Sequence, residues 1–150
     1  MECQEIMNPI KTSLFAEDPA STAIDFMLEK HMGLVPVVDK DGVFVGLLSG
    51  DRLMHFMLPK AVSMMRGKKY ASFVRESRED LKERLGELRH RTIGELVDRF
   101  ASVAYPDTGL TDAMIMLSEK QNVIPIVERE TKKLVGAISF FTILNKIEEK

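Results

Sequence analysis

Cysteine is almost missing from these 150 residues: Cys3 stands alone. No intrachain disulfide can form, and with no second cysteine or histidine beside it no metal motif is readable. Cys3 reads instead as a small buried residue at the start of a short helix. No apolar run approaches the roughly 18 residues of a membrane span. The opening Met1-Glu2-Cys3-Gln4-Glu5 lacks the basic-then-apolar layout of a signal peptide, so a cytoplasmic protein with no membrane partner is expected. Also missing are a glycine-rich phosphate loop and any Ser, His and Asp constellation. The three histidines, His31, His55 and His90, fall in or beside helical runs without a partner pattern, so catalysis is not expected. Net charge is only −2, which points to no acidic or basic partner for the chain as a whole. What is present is enough apolar material, 45% of residues, to bury one compact core or two halves that share one.

That material is organised as one unit used twice. Val35-Pro36-Val37-Val38-Asp39 with Gly46-Leu47-Leu48-Ser49 returns as Ile124-Pro125-Ile126-Val127-Glu128 with Gly136-Ala137-Ile138-Ser139. The prolines are 89 apart and the glycines and serines 90, a single-residue slip of the kind two copies joined by ordinary loops show. Each β-branched run reads as a buried strand, each polar turn (Asp39 to Gly42; Glu128 to Lys133) as a reversal, and each return strand ends at its serine, where helical spacing resumes. Pro36 and Pro125 are expected at the start of their strands, where a missing N–H interrupts no ladder. Upstream, Ala23, Phe26 and Met27, and again Ala113, Met116 and Leu117, mark an amphipathic helix. Ser21 or Thr22 and Thr111 are its candidate N-caps, and Gly33 and Asn122 its candidate left-handed C-caps. His31, in the last turn, suits the open carbonyls there or a ligand at the same corner. Short segments, Ile10 to Phe15 and Phe100 to Tyr105, precede the helices. Glu2 to Met7 and Thr92 to Val97 open the repeats, with Thr92 and Glu95 as a capping box.

In this order, h-P-V-V-D, then G, then h-G-h-h-S and a helix, the residues resemble the cystathionine-β-synthase (CBS) domain, and two copies resemble the tandem pair called a Bateman module. The resemblance implies an α+β fold: two pseudo-symmetric β-α-β-β-α repeats, at 1–58 and 92–150, packed through their sheets, with a helical connection at 59–91. It also implies a regulatory role, with an adenosine-containing ligand in the cleft between repeats: AMP, ADP, ATP, S-adenosylmethionine or a cyclic dinucleotide. Family members hold the ribose by an Asp three residues after the strand-ending Ser or Thr, the phosphate by that Ser or Thr and the helix start, and the base near the h-P-V corner. Carried onto this sequence, the candidate ligand residues are Thr12, Gly33, Leu34, Pro36, Ser49, Asp51 and Arg52 in the first repeat. In the second they are Ser102, Asn122, Val123, Pro125, Ser139 and Thr142. The ribose position departs from the pattern: three after Ser49 is Arg52, and three after Ser139 is Thr142. One step along a helix turns a side chain by about 100°, so Asp51 does not simply replace the absent carboxylate. Arg52 instead suits a phosphate-rich ligand by paired hydrogen bonds. The plainer reading is that Ser49 and Ser139 cap their helices and Asp51 complements the dipole.

Residues 59–91 are too long and too poor in glycine for a loose linker. Ser77 with Asp80 signals a helix start, Leu81, Leu85 and Leu88 follow at helical spacing, and Ala61, Met64, Met65, Tyr70, Phe73 and Val74 supply a further apolar face. Ten basic residues stand here against five acidic, a local +5 that leaves −7 for the rest. That asymmetry suggests a docking surface for a separate effector protein or a neighbouring subunit, and the alternative to a ligand sensor is a ligand-free module that docks a partner through this insert. Nucleic acid is not the expected partner, because the aromatic and zinc-ligand motifs of its readers are absent. Phe140 and Phe141, with Met54, Phe56, Met57 and Leu58, place an apolar surface on the helices that follow the hairpins, through which a homodimer is expected.

Overall fold

The computed structural model describes residues 1–10, 12–63 and 75–149. In chain order its elements are α1 (Cys3–Ile6), β1 (Asn8–Pro9), β2 (Leu14–Phe15), α2 (Ala20–Lys30), β3 (Leu34–Val38), β4 (Phe44–Ser49), α3 (Gly50–Met57), α4 (Lys60–Ser63) and α5 (Arg78–Arg89). The second half adds α6 (Ile93–Leu96), α7 (Leu110–Glu119), β5 (Val123–Val127), β6 (Leu134–Ser139) and α8 (Phe140–Glu148). Among the described residues there are two three-stranded sheets, β2-β3-β4 and β1-β6-β5. The fold is mixed α+β with the doubled hairpin that the motif spacing predicts.

The repeats match down to their irregularities. The hairpin β3/β4 shifts register between Val37 and Val38, and β5/β6 does so between Ile126 and Val127. The extra residue in the second turn leaves a positive φ at the same structural place, 85° at Gly42 and 62° at Lys132. The hairpins then join at their tips: Phe44 N–H donates to the Lys132 carbonyl and Leu134 N–H to the Gly42 carbonyl, both at 3.0 Å.

Several local expectations are corrected. Pro36 and Pro125 lie in the middle of their strands. They are tolerated because β2 pairs with β3 only from Val37 onward, so at Pro36 that side of the strand asks for no N–H. Helices α2 and α7 begin earlier than the serine and threonine signals, with Pro19 and Gly109 as N-caps. The left-handed residue that ends α2 is His31, φ 55°, and not Gly33. Lys120, in an ordinary right-handed conformation, ends α7 in place of Asn122. By contrast Ser49, Ser77, Thr92 and Ser139 cap their helices as read.

The larger correction concerns the openings. Each packs on the other repeat. Helix α1 sends Cys3 and Ile6 into the core formed by Ala113, Ile124, Ile126 and Ile138, while Ile93, Leu96 and Val97 enter the core of Val35, Val37 and Leu48. Matching bonds hold them, Cys3 N–H to Thr108 O at 2.8 Å and Ile93 N–H to Asp18 O at 2.9 Å. Burial raises the pKa of the Cys3 thiol, with Asp112 and Glu2 adding to it. The crossing also explains the two strand glycines: a Cβ at Gly46 would meet the Asp98 carbonyl oxygen at 2.5 Å, and one at Gly136 the Met7 Sδ at 2.6 Å. Leu48, Ile124 and Ile138 are fully buried and each contributes about 1.5 to 3 kcal/mol.

The insert treats the repeats unequally. Helix α5 packs on α2 and α3 of the first repeat, placing Leu85 and Leu88 against that core. Arg84 Nε donates to the Met57 carbonyl at 2.9 Å and its guanidinium pairs with Glu76, Arg89 meets Asp25 at 3.0 Å, and the Arg91 guanidinium lies 4.8 Å from the centre of the Phe56 ring. The apolar face expected at Met64, Met65, Tyr70, Phe73 and Val74 lies outside the described residues.

Candidate functional site

Both helix-to-strand corners and both strand-to-helix corners meet between the repeats. They line an open cavity of about 620 Å³. One wall is Met32, Gly33 and Leu34 with Ser49 and Asp51; the other is Lys120, Gln121, Asn122 and Val123 with Ser139 and Phe141, and Asp98 closes the space. A second cavity of about 240 Å³ adjoins it and shares Met32, Leu34, Val123 and Ser139. Its remaining wall comes from the crossing opening (Asn8, Pro9, Ile10, Thr12), the Val35-Pro36 corner with Phe26, and Ala137, Ile138 and Thr142.

The serines are placed by their capping role. Ser49 Oγ accepts the Arg52 N–H at 3.1 Å, and Ser139 Oγ accepts the Thr142 N–H at 3.2 Å. Thr142, itself buried, accepts the Ser139 N–H and the Asn8 amide, each at 3.2 Å. These bonds orient both serines at helix starts, where N–H groups and the dipole favour an anion.

Of the thirteen candidates, Gly33, Leu34, Ser49, Asp51, Asn122, Val123 and Ser139 reach the larger cavity, and Thr12, Pro36 and Thr142 the smaller. Three do not come to either. Arg52 is turned away: its Nε donates to the Leu96 carbonyl at 2.8 Å, and it lines a separate hollow with His55 and Phe56. The crossing α6 supplies that carbonyl, so the expected phosphate ligand is spent on structure. Ser102 gives its N–H and carbonyl to the Gln121 side chain, at 3.0 and 2.8 Å, and Pro125 is buried. Sequence reading missed Met32, Lys120, Gln121 and Asp98. Asp98 had one available signal, its place 90 residues after Asn8, but its position depends on the crossing. Among the described residues, no group of three His, Cys, Asp or Glu is placed to hold a metal ion, and no helix is long and apolar enough to cross a membrane.

The CBS domain family matches residues 3–59 and 93–149, the two stretches that the repeats occupy. The chain belongs to the CBS-domain family. Solved CBS-pair structures share its fold over nearly the whole length. A CBS domain-containing protein from Kribbella flavida is 20% identical with a TM-score of 0.72, covering 98% of each chain. CBSX2, a CBS-pair protein from Arabidopsis thaliana, is 19% identical with a TM-score of 0.70, covering 97% of this chain and 93% of that one. A further structure of CBSX2, in complex with AMP, is 19% identical with a TM-score of 0.67 and covers 97% and 95%. No curated protein sequence matches the chain. The tandem CBS arrangement is therefore secure, and the chemistry of its clefts must be argued from this chain.

Proposed function

We propose that this CBS pair is a regulatory, non-catalytic module that binds an adenosine-type ligand between its repeats and reports occupancy to a separate effector protein. The observation that carries the reading is the meeting of two capped helix starts, at Ser49 and Ser139, with two backbone corners around one cavity of about 620 Å³. That is the size range of pockets for small organic ligands, about 300 to 1,000 Å³. The AMP complex of CBSX2 is consistent with it. With Arg52 withdrawn, Lys120 is, among the described residues, the one basic side chain lining this cavity, beside Asp51 and Asp98. The balance favours a ligand with few phosphates, AMP over ATP.

The reporting surface we infer is the helical one. Met54, Phe140, Phe141 and Ile147 are all more than 60% exposed, a set of large apolar side chains on α3 and α8 that suits a second copy of the chain. Ligand acts by population shift, stabilising the arrangement of repeats it contacts best.

The test is thermal unfolding against AMP, ADP, ATP, S-adenosylmethionine, adenosine and cyclic dinucleotides, since a compound that binds the native state raises the midpoint by mass action. A dose-dependent rise with an adenosine compound is the expected result. A flat response to the whole panel refutes the sensor and favours a protein-docking module built on the basic insert.

A further inference from the structure

A helix covers the first repeat at a place that, among the described residues, stays uncovered in the second. Helix α5 lies against both α2 and α3, and Ile24, Phe56 and Met57 around it are part-buried. Ninety residues on, Met114 and Ile147 hold the places of Ile24 and Met57 and are 48% and 68% exposed. Ile115, 48% exposed, stands where the first repeat has Asp25, the partner of Arg89. A basic helix of the α5 kind therefore finds no such ion pair on the second repeat. Helix α8 also shows a stripe that α3 lacks. Phe140, Leu144 and Ile147 fall at i, i+4 and i+7, along two turns of one face, with Phe140 61% exposed and Leu144 half-buried. On α3 the first of these places is Gly50, and the last is Met57, whose carbonyl is bound to Arg84 of α5.

Resting on the reading above that the helical surface receives a second copy, we propose that two copies associate through their second repeats alone, each laying α8 against α7 and α8 of the other in the place that α5 takes on the first repeat. The spacing of four and then three residues is that of side chains interlocking with a paired helix. It suits a second α8 because a two-fold axis near Leu144 brings Phe140 of each copy onto the partner's Ile147. Lys146 and Glu148 leave α8 without net charge, so two copies meet no repulsion along it. Met114 and Ile115 extend the apolar face onto α7. On the first repeat α5 already holds the corresponding place, through Arg84 on the Met57 carbonyl and Arg89 on Asp25. The association is therefore one-sided, and Met54 of α3, though exposed, lies outside it.

Sedimentation equilibrium of the full chain tests this. The wild type is expected to be a dimer. Phe140→Glu and Ile147→Glu are each expected to raise its dissociation constant at least about tenfold, since every substitution acts twice across the axis, and Met54→Glu to leave it unchanged. All three positions are exposed in the single chain, so the circular dichroism spectrum is expected to stay that of the wild type. Leu144→Cys is expected to cross-link pairs of chains on mild oxidation and Met54→Cys not to, with Cys3 kept out of the reaction by its burial. A dimer that Met54→Glu weakens as much as Ile147→Glu overturns the one-sided assignment and leaves the wider dimer reading intact. A dimer that none of the three weakens, or a Leu144→Cys chain that does not cross-link, overturns the placing of α8 at the contact. A monomeric wild type overturns the proposal and the dimer reading together, while ligand binding, read by thermal unfolding, is decided separately.

Discussion

Ninety residues separate Gly46 from Gly136, Ser49 from Ser139 and Ile93 from Cys3, and at each pair the backbone does the same thing. The side chains around those backbones do not. The first repeat is covered on its helical face by α5, held through Arg84, Arg89 and Arg91, whereas Met114, Ile115 and Ile147 of the second remain exposed. The Gln121 side chain bonds the Ser102 backbone and the Val123 carbonyl in the second repeat, while at the matching place in the first Met32 lines both cavities. Duplication thus preserved what the chain needs to fold and left free what it needs to become one-sided. A symmetric pair has two equal faces; this one has a helical cover on the first repeat and an exposed helical face on the second.

The sharpest way to break the comparison is at the crossing. An added Cβ at Gly46 would press on the Asp98 backbone, at 2.5 Å from the oxygen and 3.0 Å from the carbon; at Gly136 it would meet the movable Met7 side chain at 2.6 Å and the Asn8 carbonyl at 2.9 Å. Gly46→Ala is expected to cost about 3 kcal/mol and Gly136→Ala about 2, measured by urea unfolding. Equal or reversed costs would mean that the two crossings are not packed as described.

The helical cover comes next. Arg84→Met keeps the apolar stem but takes the donor from the Met57 carbonyl and the partner from Glu76. A loss of about 1 to 2 kcal/mol is expected, with faster amide hydrogen exchange along α5 and no change in α7 or α8. Exchange that quickens in both repeats would show that α5 supports more than the face it covers.

The turns sharpen the comparison on a smaller scale. Gly42 and Lys132 hold the same left-handed position, which suits glycine and strains a side chain. Gly42→Ala is expected to lower stability by about 1 kcal/mol, and Lys132→Gly to raise it by about 0.5 kcal/mol or less. The gain is limited because the Lys132 ammonium lies 5.1 Å from the Tyr105 ring centre. Thermal melts of the two variants should therefore move in opposite directions.

Acid provides the mildest test. Two bonds to Ser77 hold the Asp80 carboxyl below its ordinary range, the backbone N–H first and the side chain second, and the Arg129 guanidinium lowers Asp107. A folded-state pKa below the unfolded one means that each contributes stability above the ordinary carboxylate range and loses it as pH falls through its lowered value. Carbon-detected titration should place both below the ordinary carboxylate range. Asp80→Asn should remove the acid sensitivity of α5 alone, and Asp107→Asn that of the second repeat's turn.

Capping was legible because it is local. Ser77 with Asp80, Thr92 with Glu95, and the serines at 49 and 139 each need only a partner three residues on, and the chain supplies it in order. Where two local signals competed, the reading slipped: Gly33 looked like the left-handed stop, but a tight turn closing Met32 N–H onto the Met27 carbonyl put that conformation on His31. The site was half legible for the same reason. Ser49 and Ser139 could be found from their motifs, while Asp98 reaches the cavity only because the second opening crosses to the other repeat, and Lys120 and Gln121 stand beside the Asn122 corner with no motif of their own.

By itself the sequence determined the doubled β-α-β-β-α unit, its hairpins, caps and apolar faces, because periodicity and spacing act over a few residues and repeat ninety residues later. Tertiary structure alone decided that the openings cross to the opposite repeat, and that Arg52 turns to a carbonyl instead of a cleft. Those outcomes depend on which distant backbone arrives at a given side chain. A guanidinium three places after a capping serine is equally compatible with a cleft or a carbonyl; only the segment that packs against it distinguishes them.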